Sequence, residues 1–257
     1  MAADRVKSVS DAQRITQVQQ CLTTVMDPEL DESVADLGFV TEVELLGESE
    51  VRISFRLPTY WCAANFAFLM ADDMRIAVKA LPWVTQVQVK LGEHMYADEI
   101  NQGVATGAGF QAAFGSASEG GIEAVRRTFE IKAFQRRQAA LLDHLLDAGH
   151  QPAALMALET TALAQLPLDG EGQRLVGRYL ERRGVVGGAS SAFVDTQGRV
   201  IPSEALSGHL RDVRRVAINA EFNGALCRGL QAARFEEAVP QPIHFVRHRP
   251  RAAAHCN

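Results

Sequence analysis

The spacing of apolar residues divides this chain into two regions of different pattern. Ile15, Val18, Leu22 and Val25 recur at three- and four-residue intervals and predict a helix over about residues 10–26, ended by Pro28. Val40 to Leu45 and Val51 to Leu57 then alternate apolar and polar positions around a turn at Gly47 to Glu50, the pattern of a half-buried hairpin. Phe66, Leu69, Met70, Met74, Ala77, Val78 and Leu81 return to helical spacing, Pro82-Trp83 breaks it, and Val84 to Leu91 alternates again. The order helix, strand, strand, helix, strand predicts an α+β unit with helices on one face of a small three-stranded sheet.

Past Leu91 the pattern changes. Residues 101–121 hold Gly103, Gly107, Gly109, Gly115, Gly120 and Gly121 among small side chains, too few large apolar groups to specify packing. They read as a linker, with an ordered glycine-rich loop as the other reading. The strand-Gly-x-Gly-x-x-Gly-helix context of a dinucleotide site is missing, so no nucleotide is expected. Phe129, Phe134, Leu141, Leu142, Leu145 and Leu146 predict a long helix from Ile122 to about His150. Pro152 is placed to start a second, running to about Leu166, and Glu171 to Arg183 a third. Phe193 to Ile201 reads as a small hairpin, and Ser203 as the cap of a last long helix reaching Phe235. The predicted organisation is a first domain over 1–100, a linker over 101–121, a mainly α-helical extension over 122–238 and a basic, mobile tail over 239–257 with His244, His248 and His255.

A net charge of -5 leaves no basic footprint for nucleic acid. No apolar run approaches the roughly 20 residues that span a bilayer. The N-terminal residues lack the apolar core of a signal peptide, so a cytoplasmic protein with free thiols and no membrane partner is expected. Cys21, Cys62, Cys227 and Cys256 are far apart and form no Cys-x-x-Cys pair, which argues against a preformed structural zinc site. Glu-x-x-His, Gly-x-Ser-x-Gly, Walker A and His-Glu-x-x-His motifs are all missing, so neither a carboxylate-bridged di-iron bundle nor an enzyme is expected.

Cys62 falls where the second strand meets the second helix. A helix N-terminus offers unpaired N–H groups and a positive dipole end that favour a thiolate, the form that binds iron. The competing reading is an inert small hydrophobe, which also suits Cys21 between Val18 and Leu22. Asp27 and Glu29 flank Pro28 on a loop expected near the Cys62 end of the sheet, so one thiolate and two carboxylates are candidate ligands for iron. Taken alone, Asp27 reads as capping or ending local structure beside a proline, and Asp36, before Leu37-Gly38, is a weaker ligand candidate with a similar turn role. In the last helix, His209, Asn223 and Cys227 fall near one face with Val213, Val216 and Ala220, a ligand line or a packing surface.

Asp27-Pro28-Glu29-Leu30, the run Ser33 to Val40, and Thr59 with Cys62 resemble the SufT-type and PaaD-type family of metal-sulfur cluster assembly factors over about the first ninety residues. Asp31 stands where that family usually has proline, Tyr60-Trp61 replace Pro-Gly, and Ala63 replaces the proline after the cysteine. The resemblance implies an accessory factor that handles iron or an iron-sulfur cluster transiently through Cys62, with Asp27 and Glu29 beside it. It implies a client metalloprotein as partner, and longer members resemble accessory proteins of propane-type di-iron monooxygenases, which suggests an apo-hydroxylase client. A homodimer sharing a metal through paired Cys62 residues is also open. Tyr60 and Trp61 make the turn bulkier than the family's Pro-Gly and would shield the thiol or form a partner-binding knob, and an adaptor that has lost metal chemistry is the alternative.

Overall fold

In the computed structural model the described residues are 10–107, 109–115, 121–188, 190–235 and the backbone of 244–248. Helix α1 (Asp11–Thr23) opens with a capping box: Gln13 N–H donates to Ser10 Oγ at 3.3 Å and Ser10 N–H to Gln13 Oε1 at 3.0 Å. Strands β1 (Val40–Leu46) and β2 (Glu50–Phe55) form the expected antiparallel hairpin, turning at Gly47 with φ +72°. Helix α2 (Ala64–Lys79) carries the chain over to β3 (Gln86–Leu91), which pairs parallel to β2. The sheet gains a fourth strand that the alternation of the first domain does not announce: β4 (His244–His248) pairs parallel to β1, giving the order β3-β2-β1-β4. These residues were expected in a loose tail; Cys256 and His255 lie outside the described residues.

The chain forms two compact units, one comprising residues up to Ile122 together with those from Leu226 on, the other Glu123–Ala225. The core of the first joins Val18 and Leu22 of α1, Val43, Val51, Ile53 and Phe55 of the hairpin, Phe68, Met70 and Met74 of α2, and Leu91 of β3. On the other face, Arg52 pairs with Glu44 at 3.0 Å and reaches Gln88 at 3.2 Å, so the alternation separates an apolar from a polar side.

The segment expected as a linker is instead helical over its described part. Helices α3 (Ala97–Thr106) and α4 (Phe110–Phe114) add Ile100, Val104 and Phe110 to the core. Asn101 clips α3 to the end of β3, its Oδ1 accepting from Leu91 N–H at 2.7 Å and its Nδ2 donating to Leu91 O at 3.1 Å. Glycine serves close approach here rather than freedom: a Cβ on Gly103 would lie 2.8 Å from Ala113 Cβ and 3.0 Å from Phe68 Cε2.

The second unit is helical, built from α5 (Gly121–Asp147), α6 (Pro152–Met156), α7 (Thr160–Ala164), α8 (Gly170–Arg183) and the first part of α9 (Leu206–Phe235). The single helix expected from Pro152 to Leu166 is split, because the backbone at 158–160 bonds across to 190–192 through Thr160 N–H to Ser190 O and Ala192 N–H to Leu158 O, both 2.8 Å. The expected hairpin at 193–201 is reduced to one bridge, Val194 to Val200, and Ser203 sits inside a short 3-10 turn rather than capping α9.

Candidate functional site

Strand β2 ends at Phe55 and the chain turns through Thr59, Tyr60 and Trp61 before Cys62, which lies one residue ahead of the α2 N-cap, Ala63. The expected position at the helix entrance is therefore the one observed. Cys62 is half-buried, and its Sγ lies 3.0 Å from the Oγ1 of buried Thr59. Tyr60 and Trp61, between them, are 50% and 70% exposed, which leaves two large aromatic residues beside the thiol half or more in solvent.

Two backbone carbonyls of this turn are held by residues that follow β3. Met95 N–H donates to Tyr60 O at 3.0 Å, and His94 Nε2 lies 2.8 Å from Cys62 O. Because Tyr96 N–H donates to His94 Nδ1 at 3.1 Å, the proton of the neutral ring sits on Nε2 and is donated to the Cys62 carbonyl. His94 is buried and was not among the residues singled out from sequence; its only local signal is a histidine beside the end of an alternating strand.

The loop that carries Asp27 and Glu29 is closed by the bridge Met26 to Ser33. Asp27 is buried, and its Oδ1 accepts from Glu29 N–H and Leu30 N–H, both at 2.8 Å. The capping role is thus realised. Burial pushes its carboxyl up to about 6 against the opposing pull of those two bonds, with the Glu29 and Glu32 charges adding to the rise. Asp31 adopts φ +52° and donates its N–H to Asp27 O at 2.9 Å. A proline can do neither, so the departure from the family pattern at this position goes with a different loop backbone. Asp36 is exposed.

The last turns of α9 reach the same loop. Gln231 Nε2 donates to Leu37 O at 2.9 Å and Gly38 O at 3.2 Å, Arg228 pairs with Glu32 at 3.1 Å, and Arg234 with Glu93 at 2.8 Å. The Arg56 guanidinium stacks 3.6 Å from the Phe235 ring centroid. Cys227 packs on the core that also receives Cys62. Burial pushes its thiol up to about 11, and Asp27, Cys62 and Glu29 are the negative neighbours that add to this. Cys227 thus lies in the same unit as Asp27, Glu29 and Cys62, within reach of their charges. His209 belongs to the second unit, where its Nε2–H donates to Gln138 Oε1 and burial lowers its pKa. Among the described residues no group of three or more His, Cys, Asp and Glu side chains is arranged to hold a metal ion.

Residues 15–90, from α1 to the end of β3, match the model of a family described as iron-sulfur cluster assembly protein. An 85-residue stretch is 32% identical to an uncharacterized protein of Methanocaldococcus jannaschii and covers 87% of that protein and 33% of this chain. The chain belongs to the iron-sulfur cluster assembly protein family. Over 107 residues it is 30% identical to the chloroplastic Fe-S cluster assembly factor HCF101 of rice (Oryza sativa subsp. japonica). That stretch covers 40% of this chain and a fifth, 20%, of the rice protein. No solved structure matches. The family match ends at residue 90, so α9 and Cys227 lie beyond it.

Proposed function

We propose that this chain is a non-enzymatic accessory factor that helps assemble or insert an iron-containing centre, an iron-sulfur cluster or non-haem iron, into a client metalloprotein. Cys62 is the thiolate that takes the cargo, and Asp27 and Glu29 lie beside it. Tyr60 and Trp61 are the apolar contact for the client, and the helical second unit selects that client. The resemblance to accessory proteins of di-iron monooxygenases suggests their hydroxylase as the client.

The observation that carries the reading is the setting of Cys62: a half-buried thiol ahead of α2, on a turn fixed by His94 and Met95 and flanked by two exposed rings, within the family-matched segment. Anaerobic reconstitution with Fe(II) and sulfide tests it. Wild-type protein should retain iron after desalting and Cys62→Ala should not. Equal retention would remove Cys62 from the role.

One observation favours a second reading, an adaptor without metal chemistry. Asp27 Oδ1 is committed to two backbone N–H groups, and no set of three ligands is preassembled among the described residues. On that reading the wild-type protein retains no iron at all.

A further inference from the structure

A cargo site on one thiolate holds iron weakly, and the structure offers a source for a second. Cys227, Gln231 and Arg234 are spaced i, i+4 and i+7 on α9 and therefore share one face of the helix. Two of the three are anchored in the first unit: Gln231 on the carbonyls of Leu37 and Gly38, Arg234 on Glu93, the residue before the histidine that holds Cys62. Cys227 continues that face one turn toward the helix start, beside Arg228, which pairs with Glu32 in the same loop. Both thiols pack on the one core cluster, delivered from elements 165 residues apart.

We propose that Cys227 is the second thiol of the cargo site, so that α9 and the turn before α2 together present two sulfur ligands to a thiophilic metal ion or cluster. This rests on the metal-handling reading above and extends it to a residue outside the family-matched segment. The chemistry fits transfer. Two thiolates bind a soft metal ion far better than one, while a site short of four protein ligands keeps positions open for the receiving protein's own ligands. A closed four-ligand set would store the cargo instead. The competing role of Cys227 is that of a small hydrophobe filling the seam under α9.

Cadmium titration of the full-length, reduced protein under anaerobic conditions distinguishes the two, read by the ultraviolet thiolate-to-metal charge-transfer band. Wild-type protein should show a band of two thiolates per ion. Cys227→Ala and Cys227→Val, the second chosen to keep apolar packing, should both lose about half of its intensity. Their affinity should fall by more than the roughly 10- to 100-fold that loss of a mere supporting residue produces. Cys21→Ala should match the wild type. If Cys62→Ala abolishes the band while Cys227→Val leaves it unchanged, the two-thiol site is overturned and the single-thiol reading stands. If neither substitution changes the band, or the wild type gives none, both readings fail.

Discussion

The imidazole of His94 donates from Nε2 to the carbonyl oxygen of Cys62 at 2.8 Å and accepts at Nδ1 from the Tyr96 amide at 3.1 Å. Both ring nitrogens are used, so the turn that ends in Cys62 is tied to the loop after β3 through one neutral side chain. His94→Ala removes both bonds and leaves a void. The expected loss of stability is on the order of 2 kcal/mol, measured by urea unfolding with tryptophan fluorescence. Trp61 and Trp83, the chain's two tryptophans, both belong to the first unit and report on it alone. Cys62 should also alkylate faster in this variant. An unchanged alkylation rate would show that the turn holds its shape without the histidine.

The cysteines should separate kinetically. Burial raises the thiols of Cys21 and Cys227, the latter to about 11, so little of either is thiolate at neutral pH. Iodoacetamide at pH 7 should therefore modify Cys62 before these two. Mass mapping that finds Cys21 or Cys227 modified first would contradict this order.

Asp27 sets a pH dependence whose sign is opposite to that of a salt-bridged carboxylate. Its folded pKa of about 6 exceeds the ordinary 3.8, so the folded chain binds the proton more tightly than the unfolded one. Stability from this residue is full below pH 3.8, falls as pH rises toward about 6 and is level above. The difference is on the order of 3 kcal/mol. Asp27→Asn keeps a carbonyl oxygen for the Glu29 and Leu30 amides and has no such slope. It should unfold at higher urea than the wild type at pH 7, and the gap should close near pH 4. A wild-type-like profile in the variant would assign the burial cost elsewhere.

Gly103 tests whether the glycine-rich stretch is part of the fold. An alanine there improves helix propensity by up to about 1 kcal/mol. Its methyl group nevertheless meets Ala113 Cβ at 2.8 Å and Phe68 Cε2 at 3.0 Å. The expected net effect is a loss of about 1–3 kcal/mol. A stabilised Gly103→Ala variant would mean that α3 and α4 yield freely, as a linker would.

The elements of the first ninety residues were legible because their signals are local. Alternation in β1 and β2, the stripe in α2 and the stop at Pro82 each fit within one window, and Cys62 falls at the predicted junction. Three things were not legible, each for a physical reason. Glycine at 103 reads as freedom in sequence and acts as clearance between helices in the fold, a distinction made only by the partners Ala113 and Phe68. His94 acts on a carbonyl 32 positions away. Cys227 could be placed on a helix face with His209, but not assigned to a unit. One continuous helix carries His209 into the second unit and Cys227 into the first, and periodicity is blind to where a helix changes neighbours.

The bond from Gln231 to the carbonyl of Leu37 spans 194 positions of chain, which gives the site a history as well as a geometry. During synthesis at about 5–20 residues per second, α9 is complete roughly 10–35 s after Cys62. For that interval the family-matched segment is present without the helix that later covers its loop. Cys62, Asp27 and Glu29 belong to that early segment and only Cys227 arrives late, with loop closure over so long a span adding entropy cost only slowly with its length.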